Sequence, residues 1–276
     1  MCKQNREIKH TRKANHSSLH KRYVQINIQN SDIEQLGLSK GKLVEEDWLL
    51  HKVNETVVHC KLCPRLLKYT REVRKTKTKR FTNQVYWAKP VPTFGDPKAK
   101  LLVIGLAPAA HGGNRTGRIF TGDSSGDWLV RALFETGFAN KHTSVSRDDG
   151  LILKDAYLTS AVRCVPPQNK PDPSEISNCS QYLLAETKLL EKTTKVILAL
   201  GKIAFDAYCN ICSVKGLVFG HNKIYPFSDG KTLIVSYHPS RRNTNTGTLT
   251  WQMWINIFQT ARSIINGETR STRHAC

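Results

Sequence analysis

The stretch LLVIGLAPAAHGGNRTGRIFTGD, residues 101–123, opens with an apolar run and contains five glycines and two arginines. The apolar run has the length of a β-strand that is buried on both faces. Glycines let the backbone approach a ligand closely, because no side chain keeps the ligand away. The stretch ends at Asp123, its only carboxylate. It therefore predicts a buried strand followed by a ligand-facing loop with few groups that could act as a base.

Three further apolar runs of the same kind follow, AYLTSAV (156–162), KVILAL (195–200) and TLIVSY (232–237). Helical patterns lie between the runs, and a last one, WQMWINIFQTARSII (251–265), closes the domain. Strands that alternate with helices predict an α/β fold, a parallel sheet with helices on both faces. Loops that follow parallel strands meet at one edge of the sheet. We therefore expect the loops after residues 106, 162 and 237 to form one site.

Length and charge narrow the class of protein. The chain has 276 residues, and 42 Lys and Arg against 22 Asp and Glu give a formal charge of +20, which favours nucleic acid as partner. No apolar segment reaches the roughly 18 residues of a membrane span, and the N-terminus lacks a signal-peptide core, so we expect a soluble intracellular protein without a membrane partner. We predict a disordered basic arm over residues 1–45, one domain over residues 46–265 and a loose tail over residues 266–276.

The segment GGNRTGRI (112–119) nearly matches a phosphate-binding loop but lacks its chemistry. Arg118 replaces the lysine of that motif, and Ile119 replaces the hydroxyl that would hold magnesium. We therefore do not expect nucleoside triphosphate binding here. A purely structural turn is the remaining alternative, although Asn114, Arg115 and Arg118 beside the glycines exceed what a turn requires.

Three polar residues in the predicted loops each allow a structural and a functional interpretation. Asp123 precedes a helical pattern and is a suitable N-cap, which does not exclude a catalytic role. His238 follows a strand and could satisfy a backbone carbonyl, but the donor-rich neighbours PSRR favour function. Asn169 lies among prolines in PPQNKP, where asparagine forms turns unaided, and the residues alone leave its role open.

Cysteine spacing offers two possible metal sites. Cys60 and Cys63 form one close pair, which suits half of a tetrahedral zinc site or of an iron–sulfur cluster. The second half could come from Cys209 and Cys212, or from Cys164 and Cys179, which bracket the proline-rich loop. Spacing does not decide between these two pairings.

The segment KLCPRLLKYTREVRKTKTKR (61–80) carries nine basic residues against one acid, Glu72. It is either a solvated basic helix or a surface that faces phosphates.

Taken together, four motifs resemble the uracil-DNA glycosylase superfamily, most closely its family 5, the type B enzymes of bacteria and archaea. The motifs are CKLCPRL (60–66), KPVPTFGDPKAKLLVIGLAPAAHGGNRTGRIFTGDSSG (89–126), VRCVPPQNKPDPSEISNC (162–179) and SYHPSRRNTNTGTLT (236–250). The resemblance implies a three-layer α/β/α sandwich with a central four-stranded parallel sheet. It also implies a structural 4Fe-4S cluster on Cys60, Cys63, Cys164 and Cys179.

The resemblance further implies roles for residues in all three loops. Catalysis falls on Asp123, Asn169 and His238, and Phe120 stacks on a uracil that has swung out of the duplex, since the glycosidic bond is out of reach inside the base stack. The other residues implied to contact the base are Gly105, Leu106, Ala107 and Asn114. Those expected to contact DNA are Arg115, Arg118, Ser240, Arg241 and Arg242.

The implied activity is a monofunctional DNA repair glycosylase that hydrolyses the N-glycosidic bond of uracil, and of other deaminated or damaged bases, in double-stranded DNA. Related families carry an acid where this loop has Leu106 and Ala107, so the resemblance implies reliance on stabilising the leaving base. We expect a monomer that is cytoplasmic and associated with the nucleoid. The alternatives are a non-catalytic nucleic-acid-binding iron–sulfur protein of the same fold, and an RNA-binding or nucleotide-hydrolysing protein.

Overall fold

The computed structural model of the chain describes residues 42–268. Except for the helical backbone of residues 42–45, the predicted arm over residues 1–45 lies outside the described residues, as does the predicted tail beyond residue 268. None of the helices in the described part is long and apolar enough to cross a membrane.

A six-stranded sheet forms the middle of the domain, and its strands lie in the spatial order 94–95, 156–160, 101–105, 196–200, 232–236 and 223–226. Its four inner strands are parallel, and their register pairs Leu101 with both Ala156 and Val196. The strands are β1 (Phe94–Gly95), β2 (Leu101–Gly105), β3 (Ala156–Ser160), β4 (Val196–Leu200), β5 (Lys223–Pro226) and β6 (Thr232–Ser236).

The expectation of four parallel strands is confirmed for the centre of the sheet and incomplete at its edges. Strands β1 and β5 add one antiparallel partner on each side, so the sheet is mixed. Every residue of the four inner strands is buried, which produces the continuous apolar runs seen in the sequence. The edge strands have two and four residues and are partly exposed, so they carry no such run.

Helices cover both faces of the sheet, as expected for three layers. Alternate residues of β2 point to opposite sides. Leu101 and Val103 pack with the helices over residues 124–135 and 251–266. Leu102 and Ile104 pack with the helices over residues 42–58, 173–189 and 202–211. The helices are α1 (Lys42–Val58), α2 (Pro64–Lys75), α3 (Gly113–Thr116), α4 (Ser124–Glu135), α5 (Pro173–Leu189), α6 (Lys202–Ile211), α7 (Arg241–Asn245) and α8 (Trp251–Asn266).

Local signals explain where the helices beside the site begin. Asp172 and Glu175 form a capping box at the start of α5, and Pro173 occupies its first turn. Asp123 caps α4, and Ser240 caps α7. These caps fix three helix starts just beyond the carboxyl ends of the inner strands, which is where the predicted loops lie.

Candidate active site

The glycine-rich loop folds back on the end of β2. A Cβ on Gly105 would lie 2.5 Å from Phe120 Cζ, so only glycine allows the Phe120 ring to rest against the strand. Phe120 has a φ of 50°, in the left-handed region that side chains rarely adopt. Its carbonyl group lies where a Cβ on Gly126 would be, which brings the first turn of α4 against the loop. The loop therefore holds one aromatic ring, mostly buried, at the carboxyl end of the sheet.

Asp123 is both a helix cap and a candidate reactive group. Its Oδ1 accepts hydrogen bonds from the backbone N–H groups of Ser125 (3.0 Å) and Gly126 (3.1 Å). Its Oδ2 lies against Gly112, where any Cβ would overlap it. Burial raises the pKa of Asp123, and the two N–H groups oppose that rise. The cap thus holds one carboxylate oxygen, while Oδ2 forms no hydrogen bond to the described residues and can bind water or substrate.

His238 lies in a recess after β6 and close to Gly201. Its carbonyl oxygen accepts hydrogen bonds from Ser240 N (2.8 Å) and Asn243 Nδ2 (2.9 Å), which fix the backbone. Burial lowers the pKa of the imidazole to about 4, so the ring is neutral at pH 7. The alternative in which the ring satisfies a backbone carbonyl is not seen, since it has no hydrogen-bond partner within residues 42–268. A neutral, unpartnered imidazole is available to a ligand.

Two contacts join the loop that carries His238 to the start of α4. Ser125 Oγ donates a hydrogen bond to the carbonyl oxygen of Pro239 (3.0 Å), and Arg241 Nε donates one to Ser124 Oγ (3.3 Å). His238 lies next to Pro239, and Asp123 accepts a hydrogen bond from the backbone N–H of Ser125. The structure therefore brings these two predicted catalytic residues to the same edge of the sheet.

The proline-rich loop begins beside the glycine-rich loop and then turns outward. The backbone N–H groups of Ala161 and Val162 donate to the carbonyl oxygens of Gly105 and Leu106, both at 2.9 Å. Asn169 is exposed at the turn of the loop, with a left-handed φ of 57° that asparagine tolerates well. The structure shows no side-chain contact between Asn169 and the other two candidates.

Among the residues predicted to contact the base, Leu106 and Ala107 are half-buried, and Asn114 is fully buried. The Asn114 amide donates to the carbonyl oxygens of Thr70 (3.3 Å) and Ala110 (3.4 Å). Asn114 thus joins α2 to the glycine-rich loop through its amide nitrogen.

Arg115 and Arg118 are buried, unlike the other two arginines predicted to contact DNA. Arg118 is 3% exposed and forms an ion pair with Asp149 at 2.9 Å, while its Nε donates to Thr121 Oγ1. Arg115 is 8% exposed and donates to the carbonyl oxygens of His111 and Gly122. Their guanidinium groups hold the glycine-rich loop through contacts within the domain. Ser240 is half-buried, and Arg241 and Arg242 are exposed and remain candidates for DNA contact.

The structure brings together one of the two possible cysteine sets. Cys63, Cys164 and Cys179 share a buried cluster with Leu66 and Val162. Cys60 lies close enough to these thiols that, after burial, the other three cysteines add to the rise in the pKa of Cys164. Cys209 and Cys212 lie instead at the end of α6, away from this group.

The residues around the four cysteines suit a negatively charged group bound by thiolates. Asn178 Nδ2 donates to Cys63 Sγ (3.6 Å), and the backbone N–H of Arg163 donates to Cys179. Within residues 42–268, no group of three or more His, Cys, Asp or Glu side chains is close enough to hold a metal ion. A single zinc ion needs ligands about 2.3 Å away, whereas a cluster of several iron and sulfur atoms spans wider gaps between thiolates. The N–H donors beside the thiols suit thiolate ligands of either kind of group.

Two supporting residues escaped sequence analysis. Arg65 on α2 forms ion pairs with Asp172 (3.0 Å) and Glu175 (2.6 Å) and donates to the carbonyl oxygen of Lys170, which holds the loop beside Asn169. Ser125 joins two site loops. Their partners lie about a hundred positions away, and no local pattern announces such pairing.

A family model and individual relatives point to the same family of proteins. The family model described as the uracil DNA glycosylase superfamily matches residues 92–262. A type-5 uracil-DNA glycosylase from Thermus thermophilus is 45% identical over 76% of this chain and 95% of its own length. One from Pyrobaculum aerophilum is 43% identical over 74% and 88%. A type-4 uracil-DNA glycosylase from Thermotoga maritima is 26% identical over 80% and 96%.

Proposed function

This chain belongs to the uracil-DNA glycosylase superfamily and to its type-5 members, and from that premise we propose that it removes uracil from DNA. The reaction is the hydrolysis of the N-glycosidic bond, which leaves an abasic site for repair. The non-catalytic alternative has no support among relatives of 40–45% identity that are named as glycosylases. A protein that merely binds nucleic acid would also have no need of a carboxylate and a neutral histidine at the same edge of the sheet.

One observation carries the proposal for the site: the Ser125–Pro239 hydrogen bond joins the helix capped by Asp123 to the loop of His238. Asp123 and His238 lie in loops that follow different strands, β2 and β6, where the loops of a parallel sheet converge. A uracil base between them must first leave the duplex. The Phe120 ring, held against Gly105, offers a flat apolar surface for that base.

His238 supplies the electrophilic group. As the glycosidic bond breaks, negative charge grows on the leaving base, and a fixed donor near its carbonyl oxygen stabilises that charge. The low pKa of His238 keeps the imidazole neutral, so it donates a hydrogen bond without bringing a full positive charge. Because the ring has no partner among the described residues, no internal bond must break before it binds the base.

Asp123 supplies the nucleophilic side. Its Oδ1 is held by two backbone N–H groups, which leaves Oδ2 to orient a water molecule or to balance the cationic sugar. Leu106 and Ala107, which follow β2, have apolar side chains and supply no second carboxylate to the site. Asn169, on the exposed turn held by Arg65, would reach the same water or the base only when DNA is bound.

The iron–sulfur cluster is a separate proposal. Cys60, Cys63, Cys164 and Cys179 would hold it through their thiolates, and it would tie α2 and α5 to the start of the proline-rich loop. Its role there would be structural, since the cysteines pack among apolar side chains such as Leu66 and Val162. Brown protein with about four irons and four sulfides per chain, lost in a Cys164→Ser variant, is expected. Bound zinc in place of iron would overturn this assignment and leave the catalytic one intact.

The test of activity uses a labelled duplex with one uracil opposite guanine, followed by hot alkali, which breaks the strand at an abasic site. Cleavage by the wild-type chain that fails with His238→Ala and Asp123→Ala variants is expected. A folded, DNA-binding wild type that leaves the duplex intact would contradict the proposal. The same assay with other deaminated bases tests the proposed wider substrate range, and competition by RNA tests the RNA-binding alternative.

A further inference from the structure

Helix α2 touches two of the three loops of the site. At its start, Arg65 donates to the carbonyl oxygen of Lys170 in the proline-rich loop and pairs with Glu175. In its middle, the carbonyl oxygen of Thr70 accepts a hydrogen bond from Asn114 of the glycine-rich loop. The helix therefore runs beside the site, and its outer face extends the surface that surrounds it.

That outer face is strongly basic. The buried positions of α2 are Leu66, Thr70 and Val73, which follow helical spacing and face the domain. Exposed basic side chains cover the rest of the helix and continue beyond both of its ends. They are Lys61, Lys68, Arg71, Arg74, Lys75, Lys79 and Arg80, which together we call the α2 surface.

The positive charges of the α2 surface are poorly compensated. Glu72 is its only acid, and its one ion pair there, with Lys68, is long at 4.0 Å. Within residues 42–268, Arg71, Arg74 and Lys75 form no ion pair. Arg74 and Lys75 suit the negative end of the helix dipole, but like charges one turn apart repel each other. Folding alone does not account for this arrangement.

The α2 surface has the shape for an extended polyanion. A shallow groove on this surface is lined by four cations, the apolar residues Pro64 and Leu67 and one acid, Glu72; the cations are Lys61, Lys68, Arg71 and Lys75. At its far end, Arg80 lies near enough to Arg115 and Asp127 to affect the pKa of each, which places that end beside the start of α4. The α2 surface thus extends toward the edge of the sheet that carries Asp123.

We propose that the α2 surface binds the phosphate backbone of the DNA duplex flanking the damaged base. This inference rests on the proposed function, because the glycosylase must hold its duplex while one base is extruded. Phosphate contacts position a protein without reading sequence, which suits an enzyme that meets uracil in any context. The contact lies outside the reacting atoms, so it governs binding and not the chemical step.

The test compares two double variants of equal charge. Arg71→Gln with Lys75→Gln removes two cations of the groove, and Lys215→Gln with Lys223→Gln removes two exposed lysines near the edge strand β5. Each lost phosphate contact lowers the slope of log affinity against log salt by about 0.9. We expect the first pair to lower the slope by about 2 on a long duplex, and the second pair to leave it unchanged.

Two further readouts separate the possible failures. A short duplex that barely covers the uracil should bind both double variants equally, and single-turnover excision at saturating enzyme should be unchanged in both. If the wild type excises uracil and the two double variants show equal salt dependence of affinity, DNA binding by the α2 surface is contradicted and the glycosylase activity stands. If Arg71→Gln with Lys75→Gln weakens the binding of RNA alone, the proposed contact with DNA is also contradicted. A wild type that excises no uracil would contradict the proposed function itself.

Discussion

The glycine-rich loop and the loop after β6 each carry two arginines, and the structure uses the two pairs differently. Arg115 and Arg118 are buried, and their guanidinium groups hold carbonyl oxygens and a carboxylate of their own domain. Arg241 and Arg242 are exposed, and only Arg241 has a long hydrogen bond, to Ser124. The comparison teaches that the role of an arginine near an active site depends on whether the fold already supplies its partners. The first pair shapes the site, and the second pair remains available for contact with DNA.

The largest effect we predict is on stability, from the buried pair. Arg118→Met removes the partner of Asp149, whose carboxylate is almost as buried as the arginine. Removing one member of a buried ion pair leaves an uncompensated charge, so the free energy of unfolding should fall by about 3–5 kcal/mol. Urea unfolding measures this fall in the free energy of unfolding. Arg241→Met, the exposed counterpart, should change stability by less than about 0.5 kcal/mol; equal losses in the two variants would break the comparison.

The next effect is on catalysis and separates His238 from the arginines beside it. His238→Ala should lower single-turnover excision of uracil by about 10²–10³-fold, the usual loss when one donor to a developing anion is removed. Its affinity for DNA should stay within a few-fold of wild type. Arg242→Gln is the matched control, since it lies four residues away and should keep the excision rate at saturating enzyme. A His238→Ala variant with full activity would remove the imidazole from the mechanism.

A pH titration of stability sharpens the contrast between the two loops. Burial lowers the pKa of His238 from 6.5 to about 4, so the unfolded chain binds the extra proton more readily. The stability due to the neutral ring is complete above about pH 6.5 and is lost as pH falls toward 4. At about 1.4 kcal/mol per pKa unit, the loss approaches about 3 kcal/mol. Unfolding of wild type and His238→Ala between pH 7 and pH 4 should differ in slope.

The stability that depends on the glycine-rich loop should be lost at a lower pH than the stability that depends on His238. Burial alone would raise the pKa of Asp149, but N–H groups of Leu151 and Val145 and the guanidinium group of Arg118 bring it down to about 2. A lowered carboxylate pKa stabilises the fold above the unfolded value near 3.8, and that stability is lost as pH falls through 2. Acid should therefore affect the His238 loop first. Identical acid profiles for wild type and Arg118→Met would contradict this order.

The sequence predicts the centre of the fold because the inner strands are buried throughout and therefore read as apolar runs. It does not predict β1 and β5, which are short and half exposed. The same limit applies to the site. Asp123 is predictable as a cap from its neighbours, whereas the role of Arg118 depends on Asp149, 31 positions away in an unremarkable loop. Residue type reveals charge, but only the fold reveals which charges are already paired.

The smallest effect we predict is on binding, from the exposed pair. Arg241→Gln and Arg242→Gln should each lower the salt dependence of DNA affinity by about 0.9 in slope, with the free energy of unfolding unchanged within about 0.5 kcal/mol. Titration of a uracil-containing duplex at several salt concentrations measures the slope. Arg241 is already oriented by Ser124, so less side-chain freedom is lost on binding, and its removal should weaken affinity more than removal of Arg242. If neither substitution changes the slope, phosphate contact must come from other cations, and exposure alone would not distinguish the two pairs.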